Sequence, residues 1–300
     1  MYQSVEIKNI KGKTFCIDTG MTYIPFYKID DEHIIMLDTG WADGEKEGLT
    51  NILENNSFKI AGIINSHVHI DHSGNNAYFK EKYNCPIAMP AAEAMLCSSA
   101  INLKLYYNNL SLEEIFSHLG HMICPVDMLI TDRQDSIEMC GITFKILHTP
   151  GHSPAHICLI TPDDVGYIGD ALISREVMDG AKMPYAFILA EDLKSKEKLY
   201  KLNCSQYVVA HKGIYDNITE LITNNIRFYK LRAEMIGALI TTPMTLEEVV
   251  QTVRKSFKIP IKDVYKYTLI ERMLRSYIEY LSDTGIIKKA VNEGILRYYK

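Results

Sequence analysis

The stretch Asn65 to Gly74, NSHVHIDHSG, packs His67, His69, Asp71 and His72 into six positions directly behind the apolar run Ala61-Gly62-Ile63-Ile64. Imidazoles and carboxylates are ligands that zinc takes, and a catalytic zinc site keeps one position open for water. On extended backbone alternate residues share a face, so His67 and His69 can address one ion together. Asp71 and His72 follow where the chain turns toward a helix and can reach a second ion. Four such ligands imply two metals, and two coordination shells need donors from elsewhere. A polar turn makes no such demand. Further donors do stand at or beside the ends of later apolar runs: His152 in HTPGHSPAH, Asp170 closing VGYIGD and His211 closing YVVAH.

These residues need strands to carry them. Short β-rich runs separated by turn signals, KTFCIDTG, TYIPFYKID and HIIMLDTG, come first. A helix over about 44–56 then leads to the strand IAGIIN and the histidine-rich loop. Helical and strand patterns alternate through NNAYFKEKY, CPIAMP and AAEAMLCSSA, and residues 101–124 read as mostly helical. DMLIT, DSIEM, ITFKILHT, AHICLIT and VGYIGDA form a second strand-rich section, followed by a charged helix over 191–202 and the strand QYVVAH. Two strand-rich halves with helices outside predict an α/β protein of four layers, αββα. After His211 a long helix over 217–240 is expected. Pro243 breaks the pattern, and Thr245 with Glu248 has the spacing of a capping box. Two more helical runs and a hairpin turning near 292–294 follow, the outline of a winged helix. The expected division is a main domain of 1–242 and a small C-terminal domain of 243–300.

The series H-x-H-x-D-H, T-P-G-H, G-D and a final His resembles the metallo-β-lactamase superfamily. The likeness spans about residues 13–215 and includes LDTG at 37–40. It implies that His67, His69 and His152 hold one divalent ion, that Asp71, His72 and His211 hold the other, and that Asp170 bridges them. Zinc is the expected metal, with iron and manganese as alternatives for the same ligands. A hydroxide held between the ions would attack the substrate, with Asp71 as the acceptor of its proton. His156 matches a supporting histidine of the family. Asp38 is expected to fix loops beneath the site, Tyr185 and Phe187 to line the pocket or simply pack, and Lys212 to meet an anionic substrate. His33, His118, His121 and His148 have no partner pattern. Substrate choice is expected from residues 97–127 and 180–190.

Within the family, Asp at 170 resembles the thioesterase, lactonase and phosphodiesterase branches, since β-lactamases proper carry Ser or Cys there. His69 stands where flavodiiron proteins carry Glu, which disfavours redox chemistry. Only forty residues separate Asp170 from His211, which disfavours the nucleases with an inserted domain. Hydrolysis of an ester, thioester or lactone is therefore expected, in the manner of hydroxyacylglutathione hydrolase, although the winged-helix outline departs from that enzyme. RNA cleavage is the alternative, and a DNA-binding regulator is a third reading.

Partners follow from charge and composition. The 300 residues carry a formal net charge of −5, 47% are hydrophobic and 23% are charged, an ordinary globular balance with no broad affinity for nucleic acid or acidic membranes. Residues 244–300 hold eleven Lys or Arg against seven Asp or Glu. Yet the run from Tyr267 to Leu281 mixes Glu271 and Glu279 with Arg272 and Arg275, so packing or homodimerisation is expected of this module ahead of nucleic-acid binding. No apolar run suggests a membrane span, and the first fifteen residues lack the pattern of a secretory leader. Seven scattered cysteines without a C-x-x-C pair read as free thiols in a cytosolic protein.

Overall fold

A computed structural model describes residues 5–300. Residues 1–4, the head of the segment read for a leader, lie outside it. The first sheet runs in chain order through β1 (Glu6–Lys11), β2 (Thr14–Asp18), β3 (Tyr23–Lys28), β4 (His33–Leu37), β5 (Lys59–Ile64), β6 (Ile87–Pro90) and β7 (Met128–Ile130). It is antiparallel as far as β4 and parallel from β4 to β7. Parallel neighbours need crossovers. Here α1 (Ala42–Asn55) links β4 to β5. The short α2 (Ile70–Ser73) and α3 (Asn76–Tyr83) link β5 to β6. The last crossover uses α4 (Ala91–Cys97), α5 (Ala100–Tyr106) and α6 (Leu112–Leu119).

The second sheet holds β8 (Ser136–Met139), β9 (Ile142–His148), β10 (Ile157–Ile160), β11 (Val165–Gly169), β12 (Gln206–Val209) and β13 (Gly213–Tyr215), again in chain order across the sheet. Only the β11–β12 pair is parallel, and α7 (Arg175–Gly180) and α8 (Leu189–Lys198) lie in its crossover. The chain ends in α9 (Thr219–Leu239), α10 (Leu246–Ser256), α11 (Val264–Asp283) and the hairpin β14 (Lys288–Asn292) to β15 (Ile295–Tyr299).

Alternation along the strands builds the layers. Ile35, Leu37 and Ile64 of the first sheet face Phe144, Leu159, Tyr167 and Val208 of the second. The opposite faces of the same strands, Ile34, Met36 and Ile63, pack under Leu49 and Leu53 of α1 and Phe79 of α3. On the far side Cys158, Ile168 and Val209 pack against Leu221 and Ile222 of α9. The expected αββα order is thus the observed one. Its consequence for function is positional: β4, β5, β11 and β12 deliver the loops holding Asp38, residues 65–72, Asp170 and His211 from their carboxyl ends, where α/β sheets place ligands.

The C-terminal elements share one apolar cluster with the sandwich. It joins Leu189 and Leu193 of α8, Tyr229 and Ile236 of α9, Val249 and Val253 of α10, Leu274, Tyr277 and Leu281 of α11, and Tyr298 of β15. A boundary at 243 passes through this cluster. Two hydrogen bonds tie α11 to the loop ahead of α8: Tyr277 Oη donates to the Pro184 carbonyl at 2.8 Å, and the Leu189 amide, unpaired within its own helix, donates to Ser276 Oγ at 2.8 Å. Thr245 and Glu248 form the capping box that starts α10. Glu293 and Gly294 turn the hairpin with φ of 51° and 77°, as a tight two-residue turn requires. Among the described residues no helix is long and apolar enough to cross a membrane.

Leu274 is fully buried at the centre of the shared cluster. Leu274→Ala is expected to cost about 2–5 kcal/mol while unfolding in urea stays a single transition. A separate early transition confined to the C-terminal residues would instead mark an independent unit.

Candidate metal centre

Five histidines and two aspartates meet where those strands end. His67 Nε2, His69 Nδ1, His152 Nε2 and an Asp170 oxygen form one cluster; Asp71, His72 and His211 form a second, with the ligand atoms of each within 4.8 Å of one another. In the first, His69 Nδ1 lies 3.0 Å from both His67 Nε2 and His152 Nε2. In the second, His211 Nε2 lies 3.3 Å from Asp71 Oδ2. Asp170 belongs to both: Oδ2 is 3.1 Å from His152 Nε2, and Oδ1 is 3.5 Å from His72 Nε2 and 3.4 Å from His211 Nε2. The structure therefore brings together all seven residues singled out by sequence, in the two groups that the resemblance implies.

Electrostatics separates the two groups. Burial, reinforced by neighbouring imidazoles, pushes His67 and His69 well below the usual histidine range, so both are neutral. Neutral imidazole is the form that binds metal. Burial also disfavours charge on His72 and His211, but Asp170 and Asp71 override it and raise both, His211 to about 10. Burial alone would raise Asp71; His72 and His211 beside it hold its carboxyl below the usual range. This half of the site is rich in negative charge, which calls for a cation or for protons. His72 Nε2 and Asp170 Oδ1 are buried and without a hydrogen-bond partner, a state that native interiors rarely tolerate. Orphaned donors, neutral imidazoles and a shared carboxylate fit two divalent cations.

Several of these side chains are aimed by a neighbour. Asp38 Oδ2 accepts from His72 Nδ1 at 2.8 Å, which turns Nε2 into the site. It also accepts from Ser66 Oγ at 2.6 Å, and Ser66 Oγ in turn meets His67 Nδ1 at 2.9 Å. His156 Nε2 accepts from the Asp170 amide at 3.0 Å, while its Nδ1 meets Thr149 Oγ1 at 2.8 Å. Gly169 precedes Asp170 with a φ of +53°, and a Cβ there would come within 2.7 Å of His156 Nε2, so only glycine fits the bend. Asp38 and His156 thus hold the supporting positions expected of them.

Three important residues carry no signal in the motif. Glu93 of α4 is fully buried; one oxygen accepts from the Val68 amide at 3.1 Å and the other from Ser153 Oγ and the Ala155 amide at 2.7 Å each. It joins the loop of His67 and His69 to the loop of His152. Tyr106 of α5 places its hydroxyl 3.1 Å from His69 Nε2 and 3.0 Å from the Tyr185 hydroxyl. With Nδ1 turned into the cluster, Nε2 carries the proton and Tyr106 accepts it. Arg272 of α11 stacks over the rings of Tyr106 and Tyr107 at 4.3 and 4.5 Å. A residue of the C-terminal module therefore braces a residue that orients a ligand.

A cleft of about 390 Å³ opens over His69, Asp71, His152, Asp170 and His211. Tyr185 lines it, whereas Phe187 packs against Tyr106 with ring centroids 5.2 Å apart. Tyr107, Ala181, Met183, Pro184 and Tyr185 contribute as expected of their segments, but one wall is α11, which lies outside those segments. Lys212 differs from expectation: its φ is 61° and its amine pairs with Glu176 at 3.1 Å, because the turn after His211 directs it toward α7. His148 Nε2 donates to the Gln134 carbonyl at 2.7 Å, outside the site.

Glu93→Ala is expected to weaken metal binding about 10- to 100-fold, as loss of a ligand's support does elsewhere. The check is competition against a chromophoric chelator; affinity equal to the parent would mean that the two loops hold their places without it. Tyr106→Phe, which keeps the ring and deletes only the acceptor, is expected to fall in the lower part of that range.

Comparison with known proteins identifies the family. A sequence profile described as "Metallo-beta-lactamase superfamily" matches residues 10–211. An uncharacterized protein of Aquifex aeolicus is 33% identical over 186 residues, 62% of this chain and 80% of that one. A hydroxyacylglutathione hydrolase of Marinomonas sp. is 25% identical over 232 residues, 71% of this chain and 78% of that one. Among solved structures, a metallo-β-lactamase family protein of Thermus thermophilus matches with a TM-score of 0.70 at 17% identity, covering 99% of this chain and 98% of that one. A β-lactamase domain protein of Burkholderia ambifaria matches with a TM-score of 0.72 at 15% identity, covering 98% and 93%. These two likenesses concern the fold, and they extend through the C-terminal elements. The profile match over two thirds of the chain, on a fold and a site of the matching kind, makes this protein a hydrolase that belongs to the metallo-β-lactamase superfamily.

Proposed function

We propose that the chain is a dinuclear metal-dependent hydrolase of a small ester, thioester or lactone, with zinc as the metal and a thioester as the favoured bond. The observation that carries this reading is Asp170, whose two oxygens face two separate ligand groups beneath one cleft. Divalent cations, when bound, supply Lewis acidity toward a carbonyl oxygen and lower the pKa of water. His67, His69 and His152 would hold one cation, Asp71, His72 and His211 the other, with Asp170 between them. Three imidazoles with a carboxylate suit zinc, and the relatives named hydroxyacylglutathione hydrolase favour a thioester.

The chain's own groups do the rest. Asp71 is held ionised by His72 and His211 and lines the cleft, so its carboxylate is placed to take the proton of an attacking water. Tyr106 accepts from His69, which leaves its own O–H to donate to Tyr185, and the Tyr185 hydroxyl is then free to donate toward substrate. Asp38 keeps His67 and His72 in the tautomers that direct Nε2 inward.

The RNA reading loses ground on the placement of α11. Ile270, Leu274, Tyr277, Ile278 and Leu281 are buried in the shared cluster, so this helix is committed inward rather than free to enter a groove. A small-molecule cleft is the arrangement such packing favours.

Asp71→Asn is expected to lower kcat on thioesters about 10²- to 10⁴-fold, the range of a lost general base, and to reduce bound metal toward one ion per chain by elemental analysis. Chelation followed by readdition of zinc should abolish and restore turnover. Full activity in metal-free protein would overturn the reading, and cleavage of short RNA in preference to every ester, thioester and lactone would replace the substrate class.

A further inference from the structure

We propose that the cleft beside the metal centre is the seat of an unbranched, apolar acyl chain, so that the substrate is a fatty-acyl-like thioester, ester or lactone in place of a highly charged peptide conjugate. This deepens the hydrolase reading and rests on it for the bond that is cut. The cleft is continuous with the ligands: His69, Asp71, His152, Asp170 and His211 form its floor. Beyond them apolar side chains predominate, interspersed with Tyr107, Tyr185, Tyr229 and Tyr265. Ile173, Val177 and Met183 make one wall, from the segment between β11 and α8; Leu269 and Met273 make the other, from α11. Its size and lining are those of a small-molecule site, with a majority of apolar side chains and a smaller set of polar groups.

Charge points the same way. Apart from the metal ligands, the lining contains no carboxylate, and its only cations are Lys266 and Arg272. Arg272 is engaged on the faces of Tyr106 and Tyr107, with Nη1 donating to the Tyr106 carbonyl at 3.4 Å. A ligand with several charges would find few partners here and would lose its hydration in entering. A hydrocarbon chain gains by leaving water. The carbonyl carbon must lie over the ligand floor. An acyl chain stays uncharged through hydrolysis, whereas the leaving thiolate or alkoxide carries the departing charge and belongs on the open side.

Both walls depend on the C-terminal module. Met183 and Pro184 sit on the loop that Tyr277 holds through the Pro184 carbonyl, and Leu269 and Met273 are part of the module itself. The slot exists because α11 lies against the sandwich.

The test is a series of thioesters from acetyl to dodecanoyl on one thiol, hydrolysed by the zinc-loaded full chain. A parallel series keeps one acyl group and varies the thiol. Each added methylene should raise kcat/KM about fourfold until the slot is full, the factor expected from burying one methylene, while the thiol series stays nearly flat. Val177→Phe should lower the ratio of octanoyl to acetyl kcat/KM at least tenfold. Calorimetric binding of the corresponding free fatty acids separates the slot from the reaction. If octanoate binds far more tightly than butyrate and Val177→Phe weakens only the former, the slot stands even where no thioester is cut, and the bond assignment falls instead. Acyl-length dependence that is flat in both turnover and binding would overturn the slot, as would a preference set by the thiol.

Discussion

The carboxylate of Asp38 is the contact on which the site is assembled. It leaves β4 at a φ of 67° and collects four close donors: the Ser66 amide at 2.7 Å, Ser66 Oγ at 2.6 Å, His72 Nδ1 at 2.8 Å and Tyr167 Oη at 2.7 Å. A carboxylate has about four lone-pair positions, so this buried anion is saturated. The donors come from different places. Ser66 and His72 belong to the loop after β5, and Tyr167 stands on β11 of the other sheet. One side chain therefore clamps the sandwich, sets the path of the histidine-rich loop and fixes the tautomers of His67 and His72.

Saturation of Asp38 explains why the other two carboxylates behave differently. Asp71 and Asp170 lack comparable donors, and their charge is balanced only by the imidazoles they face. In the absence of cations, His72 and His211 answer by holding protons above their usual range. Metal binding must displace those protons, so loading and folding are coupled at this edge. In the three-histidine group His67 and His69 are already neutral and offer no such competition.

The parts of this arrangement that were legible in the sequence are those written locally. His67 to His72 occupy one short loop, and His152, Asp170 and His211 each stand close to an apolar run that forms a strand, so spacing and strand ends identify them. The sheets were legible because parallel strands buried on both faces read as continuous apolar runs. What was hidden acts across long separations. Glu93 looks like any helical glutamate, yet it meets residues 25, 60 and 62 positions away. Tyr106 reaches His69 over 37 positions and is met by Arg272 over 166. β1 escaped notice because its residues, EIKNIK, are mostly polar and half-exposed at a sheet edge, and β13 because three residues give no period to read.

The same reasoning accounts for α11, which the sequence places in a module expected to pack or homodimerise. It carries two engaged faces rather than one. Ile270, Leu274, Tyr277 and Leu281 recur at helical spacing and enter the shared cluster; Tyr265, Leu269, Arg272 and Met273 recur beside them and face the cleft. Leu269 and Ile270, like Met273 and Leu274, are successive residues and so stand about 100° apart around the axis. Two stripes at that offset leave only a narrow polar face, occupied by residues such as Arg275 and Glu279. A helix so divided cannot be withdrawn to bind elsewhere without uncovering the cluster and dismantling a wall of the cleft together. In this fold the module that completes the hydrophobic core is therefore also the module that shapes the substrate site, and changes to one stripe are felt through the other.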